Sequence, residues 1–263
     1  MTETTPSKPV RHLLGLSGGK DSSALAIYMR DRVPEMEYFF ADTGAELPET
    51  LEYIDLLEDY LGKHIHRLNA GKDFDYYLKY HNNFLPSARQ RWCTVNLKLV
   101  PFEEFVGDDQ AISYIAIRAD EPSRSGYIST KRNISTRMPF REDGIAKEDV
   151  FAILEKSGVG VPSYYKWRSR SGCYFCFFQQ QEEWAGLKEH HAELFQAAKN
   201  YEKIDEGTGR LFTWNQVGPL DEVIKRAEAN RGKPRKQSTP KNLIDAWPED
   251  SDDNDDACLI CMK

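Results

Sequence analysis

The chain has no long apolar segment and few cysteines. No apolar run approaches the roughly 18 residues that a membrane-spanning helix needs, and the first residues lack the apolar core of a signal peptide. Five cysteines in 263 residues are an odd number, which does not suit the disulfide framework of a small secreted protein. We therefore expect cytoplasmic localisation, no membrane partner, and cysteines that serve metal or redox chemistry.

The chain also lacks an excess of positive charge. A net charge of −7 argues against binding nucleic acid with the whole surface. The charge is uneven, however, because residues 249–256 hold six acids and no base, while residues 231–236 are basic. A local basic groove on the body of the protein therefore stays compatible with the composition.

Residues 12–23 have the pattern of a buried strand, a glycine turn and the start of a helix. The turn is Ser17-Gly18-Gly19-Lys20-Asp21-Ser22. Glycines let the backbone approach a ligand, and a helix N-terminus adds unpaired N–H groups and the positive end of its dipole. Lysine and serine side chains supply further donors. The stretch predicts a phosphate-binding site, although it lacks the spacing of a Walker A loop.

The apolar periodicity predicts an α/β fold with a mostly parallel sheet. The predicted strands cover 12–16, 37–41, 64–68 and 112–117, and the predicted helices cover 22–29, 48–61, 94–106, 148–154 and 180–203. In such sheets ligands bind beyond the carboxyl ends of the strands. Ser17, Asp42 and Arg118 all follow predicted strands, so we expect the active site at that edge.

The glycine turn resembles the PP-loop of the ATP pyrophosphatase superfamily, which includes thiolation enzymes and phosphoadenylylsulfate (PAPS) reductases. Residues 89–101 resemble the Cys…Lys…Pro segment of PAPS reductases, and residues 118–124 resemble their Arg-x-x-Glu-Ser-x-x-Arg segment with Pro122 inserted. Trp92 stands where many cluster-containing members have a second cysteine. The similarity implies a Rossmann-like, adenine nucleotide alpha hydrolase-like core with a cysteine-bearing, mainly helical C-terminal region.

The expected organisation has four parts. They are a disordered leader (1–10), a PP-loop core (11–125), a helical region with a Cys-x-x-Cys pair (126–228), and a flexible acidic tail (229–263). The last part is polar, charged and contains proline, which is typical of a linker.

Two sets of side chains are candidates for binding. The candidate nucleotide ligands are Ser17, Gly18, Gly19, Lys20, Asp21, Ser22, Ser23, Asp42, Thr43, Gly44 and Arg118, with Lys20 and Asp21 also catalytic candidates. The carboxylate of Asp42 has three alternatives, namely a helix cap, a ribose ligand or a Mg²⁺ ligand. The candidate substrate-binding cations are Arg89, Arg91, Lys98 and Arg124, for which a solvated helix start or a salt-bridged loop is the alternative.

The cysteines provide the third set. Cys173 and Cys176 form a Cys-x-x-Cys turn near a basic run, and on residues alone this turn suits zinc, an iron–sulfur cluster or a redox pair. With Cys93 they resemble the three-cysteine set of iron–sulfur PP-loop proteins. Structural zinc and a 4Fe-4S cluster both normally take four protein ligands. The resemblance therefore implies either an iron with an open position or a fourth ligand from elsewhere.

Cys258 and Cys261 form a second Cys-x-x-Cys pair in the acidic tail. PAPS reductases carry a reactive cysteine near the C-terminus, although their Glu-Cys-Gly-type motif is absent here. A tethered dithiol can resolve a disulfide, carry a persulfide or supply a fourth ligand. We expect a catalytic role for both, with an incidental pair as the alternative.

The resemblance implies ATP-dependent sulfur transfer. The expected cofactors are ATP with Mg²⁺ and a 4Fe-4S cluster, with Zn²⁺ as the alternative. The candidate partners are a nucleic-acid acceptor, as in the DNA-phosphorothioation DndC-like family, a cysteine desulfurase or thioredoxin-like donor, and a second copy of the chain. The alternative functions are a PAPS or adenylylsulfate reductase that releases sulfite, and a nucleotide-sensing subunit of a larger complex.

Overall fold

A five-stranded parallel sheet forms the centre of the protein. The computed structural model describes residues 8–126, 128–204, 211–215 and 217–230. The strands are β1 (Arg11–Leu16), β2 (Glu37–Ala41), β3 (Ile65–Leu68), β4 (Ala111–Tyr114) and β5 (Ile134–Arg137). They lie in the order β3-β2-β1-β4-β5 with every neighbouring pair parallel. The order reverses between β1 and β4, which places a ligand crevice at the carboxyl ends of these two strands.

Helices surround the sheet and extend into the C-terminal region. They are α1 (Lys20–Met29), α2 (Pro48–Leu61), α3 (Phe74–Tyr80), α4 (Trp92–Thr94), α5 (Val100–Val106), α6 (Pro139–Glu142), α7 (Lys147–Ser157), α8 (Gln181–His190), α9 (Ala192–Asn200) and α10 (Leu220–Asn230). A π-helical turn (Val95–Leu99) joins α4 to α5, and a 3-10 turn spans Ser163–Lys166. A two-stranded antiparallel ribbon pairs β6 (Lys203–Ile204) with β7 (Leu211–Phe212).

Both faces of the sheet are covered by helices. Successive strand residues point to opposite faces, so each strand contributes to two cores. Leu14 and Phe40 belong to a core that contains residues of α1, α2 and α7. Leu13 and Phe39 belong to a second core, where Phe39 stacks on Phe102 of α5 with ring centroids 4.9 Å apart. The near-continuous burial of β1 and β2 follows from this double coverage.

A third core is mainly aromatic and belongs largely to the C-terminal region. None of the residues given for it comes from a strand of the main sheet. It joins Phe74 of α3 and Trp92 of α4 to Phe175, Trp184 and Trp214. The ring centroids of Phe74 and Phe175 are 4.4 Å apart, and those of Phe175 and Trp214 are 5.1 Å apart. This core fixes the Cys93 segment and the Cys-x-x-Cys turn against each other.

The predicted α/β fold with a parallel sheet is confirmed, but several predicted bounds were wrong. Strand β4 ends at Tyr114 instead of residue 117, and the helix predicted over 94–106 begins at Trp92 and includes the π-helical turn. The helix predicted over 180–203 is interrupted at His191, whose ring hydrogen-bonds Glu49 (2.8 Å). Strand β5 was not predicted, because Ile134 is its one buried residue.

The domain division stays a prediction. Strand β5 and α7, which packs on α1, lie within the range 126–228 that was assigned to the helical region. Residues 1–7 of the predicted leader and most of the predicted tail, with Cys258 and Cys261, lie outside the described residues. Across the described part of the chain, no helix combines the length and apolar character that crossing a bilayer requires.

Gly18 provides a test of the packing between the glycine turn and α2. Its φ is +71°, and a Cβ at this position would lie 2.6 Å from Cγ2 of Thr50. Gly62, the residue after α2, has a similar φ of +62° but open space around it. We expect Gly18→Ala to lower the free energy of unfolding by about 3 kcal/mol, from backbone strain plus overpacking, and Gly62→Ala by about 1 kcal/mol from strain alone. Urea denaturation measures both, and equal losses would show that the contact with Thr50 is unimportant.

Candidate active site

The glycine turn lies at the carboxyl end of β1 and leads directly into α1. Its backbone and hydroxyl groups are tightly connected, since the Oγ atoms of Ser17 and Ser22 share a hydrogen bond (3.0 Å) and Ser23 Oγ donates to the Gly19 carbonyl (2.7 Å). Ser17, Ser22 and Ser23 are all buried. The positive φ of Gly18 permits the sharp change of direction between strand and helix. The turn therefore has a single, well-defined shape at the position predicted for phosphate.

A buried row of charges fixes the start of α1. The carboxylate of Asp21 accepts from Lys20 Nζ (3.0 Å) on one oxygen and from Arg118 Nη1 (3.1 Å) on the other. Arg118 also pairs with Asp120 (2.9 Å) and Glu121 (3.7 Å), while only 1% of its side chain is exposed. Burial acts to lower the pKa of Arg118, but these carboxylates outweigh it and hold the pKa above its ordinary value. The guanidinium therefore bonds carboxylates of the protein, and its contact with nucleotide stays a prediction.

The turn after β2 connects the sheet edge to the Cys-x-x-Cys turn. Asp42 accepts a hydrogen bond from the Gly44 amide (2.9 Å), so it shapes this turn and does not cap α2. Thr43 Oγ1 donates to Glu46 (2.6 Å) and lies 3.2 Å from the Sγ atom of Cys173. Burial raises the pKa of Glu46, opposed by the charge of Lys98 and the hydrogen bond from Thr43.

Residues 163–173 pack against the glycine turn and form hydrogen bonds with it. The hydroxyl of Tyr164 donates to the Gly18 carbonyl (2.6 Å), and the hydroxyl of Tyr165 accepts from the Lys20 amide (3.0 Å). Ser171 Oγ bonds Ser17 Oγ (3.1 Å). Further along the same segment, Arg168 donates to the Cys173 carbonyl (2.8 Å). One short segment thus contacts both the predicted phosphate site and the cysteine turn.

The three cysteines predicted to act together lie around one cavity. Cys93, Cys173 and Cys176 all line it, although 80 residues of chain separate the first from the second. Its other walls are mainly aromatic and include Phe74, Phe177, Phe178 and Trp214. Burial raises the pKa of the Cys173 thiol to about 12, with a further contribution from Glu46. We call this space the cysteine cavity.

A second, smaller cavity adjoins the first. It is lined by Ser17 of the glycine turn and by Glu46, and it shares Lys98 and Gly172 with the cysteine cavity. Lys98 is buried, with 6% of its surface exposed. The predicted phosphate site and the cysteines are therefore neighbours, with Lys98 at the boundary between them.

The other predicted substrate-binding cations take different positions. Arg91 lies near the cysteine cavity, with its guanidinium carbon 5.3 Å from the ring centre of Phe178. Arg124 forms an ion pair with Glu121, as expected for a salt-bridged loop. Arg89 is exposed. Of this group, Lys98 lines the cysteine cavity and Arg91 contacts Phe178 in its wall.

The cysteine cavity suits a soft metal or an iron–sulfur cluster better than a hard cation. Its donors are three thiols, and thiolates select zinc, copper(I) or iron–sulfur clusters. In the described part of the chain, no three His, Cys, Asp or Glu side chains already have the spacing of a metal site. Cys93, Cys173 and Cys176 form no disulfide there. The donor set therefore fits such a group, and the group itself belongs to the proposal below.

Several residues of the site were not found from the sequence. They are Glu46, Tyr164, Tyr165 and Ser171. The tyrosines and Ser171 contact the glycine turn from 145 to 154 residues further along the chain. The periodicity of the sequence reports local structure and does not reveal such contacts. The sequence offered one indication of Glu46 as a site residue, because it closely follows the Asp-Thr-Gly turn at a strand end.

Removing Arg118 tests whether the buried charges hold the glycine turn. Arg118→Gln leaves the buried Asp21 and Glu121 carboxylates short of a cation, so we expect a loss of about 3 kcal/mol in the free energy of unfolding. The control is Arg137→Gln, which removes an exposed pair with Glu142 and should cost no more than about 0.5 kcal/mol. Asp21→Asn in the Arg118→Gln background should recover part of the loss. Strictly additive effects in this double-mutant cycle would contradict the proposed coupling.

Known proteins share the sequence pattern of this core. The phosphoadenosine phosphosulfate reductase domain matches residues 11–142, which is half of the chain. Two uncharacterized proteins of Methanocaldococcus jannaschii are 26% and 27% identical over 82% and 73% of this chain, and the chain spans 55% and 41% of their lengths. An uncharacterized 37.8 kDa protein of Escherichia phage 186 is 24% identical over 73% of this chain and 75% of its own length.

Some solved structures are similar to this chain at a low level. A phosphoadenylyl-sulfate (PAPS) reductase from Candida auris has a TM-score of 0.49 and 13% identity, over 65% of this chain and 82% of its own. A U34-tRNA thiolase from Methanococcus maripaludis, solved with its 4Fe-4S cluster, has a TM-score of 0.41 and 13% identity, over 84% and 82%. At these values the likenesses carry no functional argument. The domain match, together with the glycine turn at the end of β1, shows that this chain belongs to the phosphoadenosine phosphosulfate reductase domain family of the PP-loop superfamily.

Proposed function

We propose that the protein is an ATP-dependent sulfur transferase, whose PP-loop activates an acceptor and whose cysteine cavity supplies the sulfur chemistry. Membership in the family supports an enzyme with sulfur-related, nucleotide-using activity. The observation that carries the finer proposal is the adjacency of the two cavities, which share Lys98 and Gly172. The activity, acceptor and partners of the whole protein are all part of the proposal.

The first half-reaction is adenylation. An oxygen of the acceptor attacks the α-phosphorus of ATP, the bond from that phosphorus to the bridging oxygen breaks, and pyrophosphate leaves. Ser17 and the backbone of Gly18 and Gly19 lie where a phosphate would enter from the end of β1. Lys20 places a positive charge beside this turn, held by Asp21. Such fixed charges and dipoles stabilise charge that develops in the transition state.

The second half-reaction exchanges oxygen for sulfur. A sulfur nucleophile attacks the activated atom of the acceptor, the bond to the adenylated oxygen breaks, and AMP leaves with that oxygen. The cysteine cavity opens next to the PP-loop, so the sulfur and the activated acceptor meet near Lys98. Lys98 there offers a cation to the phosphate of the leaving AMP.

Cys93, Cys173 and Cys176 would hold a 4Fe-4S cluster in this proposal. A cluster bound by three cysteines supplies one iron with an open coordination position, suited to a sulfur ligand. The aromatic walls of the cavity would shield such a group from water. Cys258 and Cys261 lie outside the described residues, and their role as a fourth ligand or as persulfide carriers stays a prediction.

Product analysis tests the proposal against the reductase alternative. With ATP, Mg²⁺, sulfide and extracts of nucleic acid or small molecules as acceptors, we expect AMP and pyrophosphate in equal amounts. Lys20→Ala should lower this rate at least about 100-fold because a fixed charge beside the phosphates is lost. Lys79→Ala, which removes an exposed lysine on α3, is the matched control and should leave the rate unchanged.

The contrasting substrate is PAPS with thioredoxin. Sulfite release without pyrophosphate would overturn the transferase proposal in favour of a reductase. A partner-dependent activity that survives Lys20→Ala, although nucleotide no longer binds, would favour a nucleotide-sensing subunit.

A further inference from the structure

Arg168 is a completely buried arginine that has almost no partners, with 0% of its surface exposed. Its Nη2 atom donates to the Cys173 carbonyl (2.8 Å), whereas its Nε and Nη1 atoms are buried without a hydrogen-bond partner. The other completely buried arginine of the site, Arg118, shows the usual arrangement, because it pairs with the carboxylates of Asp21 and Asp120. A buried charge without such a partner is costly.

The groups around Arg168 do not supply the missing negative charge. Glu183 of α8 is a buried carboxylate close by, but its Oε1 atom accepts from the amide (2.7 Å) and the hydroxyl (2.6 Å) of Ser169. Burial raises the pKa of the Tyr164 hydroxyl, which the charge of Arg168 opposes, so this group stays neutral. Among the described residues Arg168 forms no ion pair.

Arg168 lies directly behind the cysteine cavity. It bonds the main chain of Cys173, and the side chain of the same residue lines the cavity, so about one residue's length separates the guanidinium from the sulfur. The Cys173 carbonyl also accepts from the Cys176 amide (3.1 Å). The turn therefore keeps a hydrogen bond at this carbonyl without Arg168, and the position of the arginine points to a role for its charge.

The other charged groups near the Cys173 thiol have different positions. Burial raises the pKa of this thiol, Glu46 raises it further and Lys98 lowers it, so these two charges oppose each other. Arg170 lines the cavity itself, with its guanidinium carbon 5.5 Å from the ring centre of Phe178. Arg168 acts instead from behind the turn, where no described carboxylate opposes it.

We propose that Arg168 is the buried counter-charge of a metal–thiolate group held by Cys93, Cys173 and Cys176. Three thiolates outweigh the charge of a divalent ion, and also that of an oxidised 4Fe-4S core, so the group is an anion with either. Arg168 then destabilises the protein without the group and stabilises the protein that contains it. The presence of the group rests on the proposed function, whereas the unpaired guanidinium does not. Arg168 is thus a positioning residue, which acts on the group through the cysteine turn.

Arg168→Met tests this role, since methionine is apolar and of similar length. The full chain is reduced, freed of metal with a chelator, and unfolded with urea. Co²⁺ is then added to the folded protein, and the sulfur-to-cobalt absorption band gives its dissociation constant. The tail cysteines are unchanged in every chain, so differences between chains report the substituted residue.

We expect the two measurements to move in opposite directions. Without metal, Arg168→Met should raise the midpoint of urea denaturation by about 0.5 M, because it removes a buried charge that has no partner. The dissociation constant for Co²⁺ should rise about tenfold, because the attraction between the guanidinium and the anionic group is lost.

Two variants separate charge from packing. Arg168→Lys keeps the charge and should keep the dissociation constant for Co²⁺ within about twofold of the wild-type value. Lys166→Met removes an exposed lysine two residues earlier in the same segment. It is the matched control and should change neither measurement.

A midpoint that stays equal or falls in Arg168→Met, or a variant that does not fold without metal, would overturn the proposal, because the charge would then serve the empty protein. An unchanged affinity for Co²⁺, or a wild-type protein without the sulfur-to-cobalt band, would also overturn it. Neither measurement uses ATP or acceptor. The expected opposite changes without AMP formation would contradict the proposed function and leave this inference intact, and AMP formation without these changes would do the reverse.

Discussion

The buried carboxylate of Asp21 is the interaction on which the site depends. It bonds Lys20 at the start of α1 and Arg118 in the segment after β4. These segments follow β1 and β4, the two strands between which the strand order reverses. Because both partners are almost completely buried, loss of one charge leaves the others without compensation in a medium of low dielectric. The Asp21 carboxylate thus keeps both cations together beside the glycine turn.

The second constraint is the segment from Tyr164 to Cys173. Its hydroxyls bond the glycine turn, and its arginine bonds the Cys173 carbonyl, so the geometry of the cysteines is tied to that of the predicted phosphate site. The aromatic core behind it brings Cys93 to the same cavity through Trp92 and Phe74. The three thiols and the predicted phosphate site thereby lie within one continuous region of the protein.

Local signals predicted most of the sheet. β2 and α2 have the expected bounds, because an uninterrupted apolar run marks one and a proline start with three-to-four spacing marks the other. β5 and α3 were missed, since the first is a polar edge strand and the second is a short helix with an aromatic side facing the C-terminal core. The site residues on the strand ends were within reach of sequence reasoning. Tyr164, Tyr165 and Ser171 were not, because their contacts form only when distant segments pack together.

The measurement that tests the account most directly is the iron and sulfide content of protein purified without oxygen, with its visible absorption. The account predicts about four irons and four sulfides per chain, lost in Cys93→Ser, Cys173→Ser and Cys176→Ser alike, because all three thiols line one cavity. The same measurement on Cys258→Ser and Cys261→Ser shows whether either is a fourth ligand. One zinc and no iron in the wild-type protein, or iron that persists in the Cys93→Ser variant, would contradict the account.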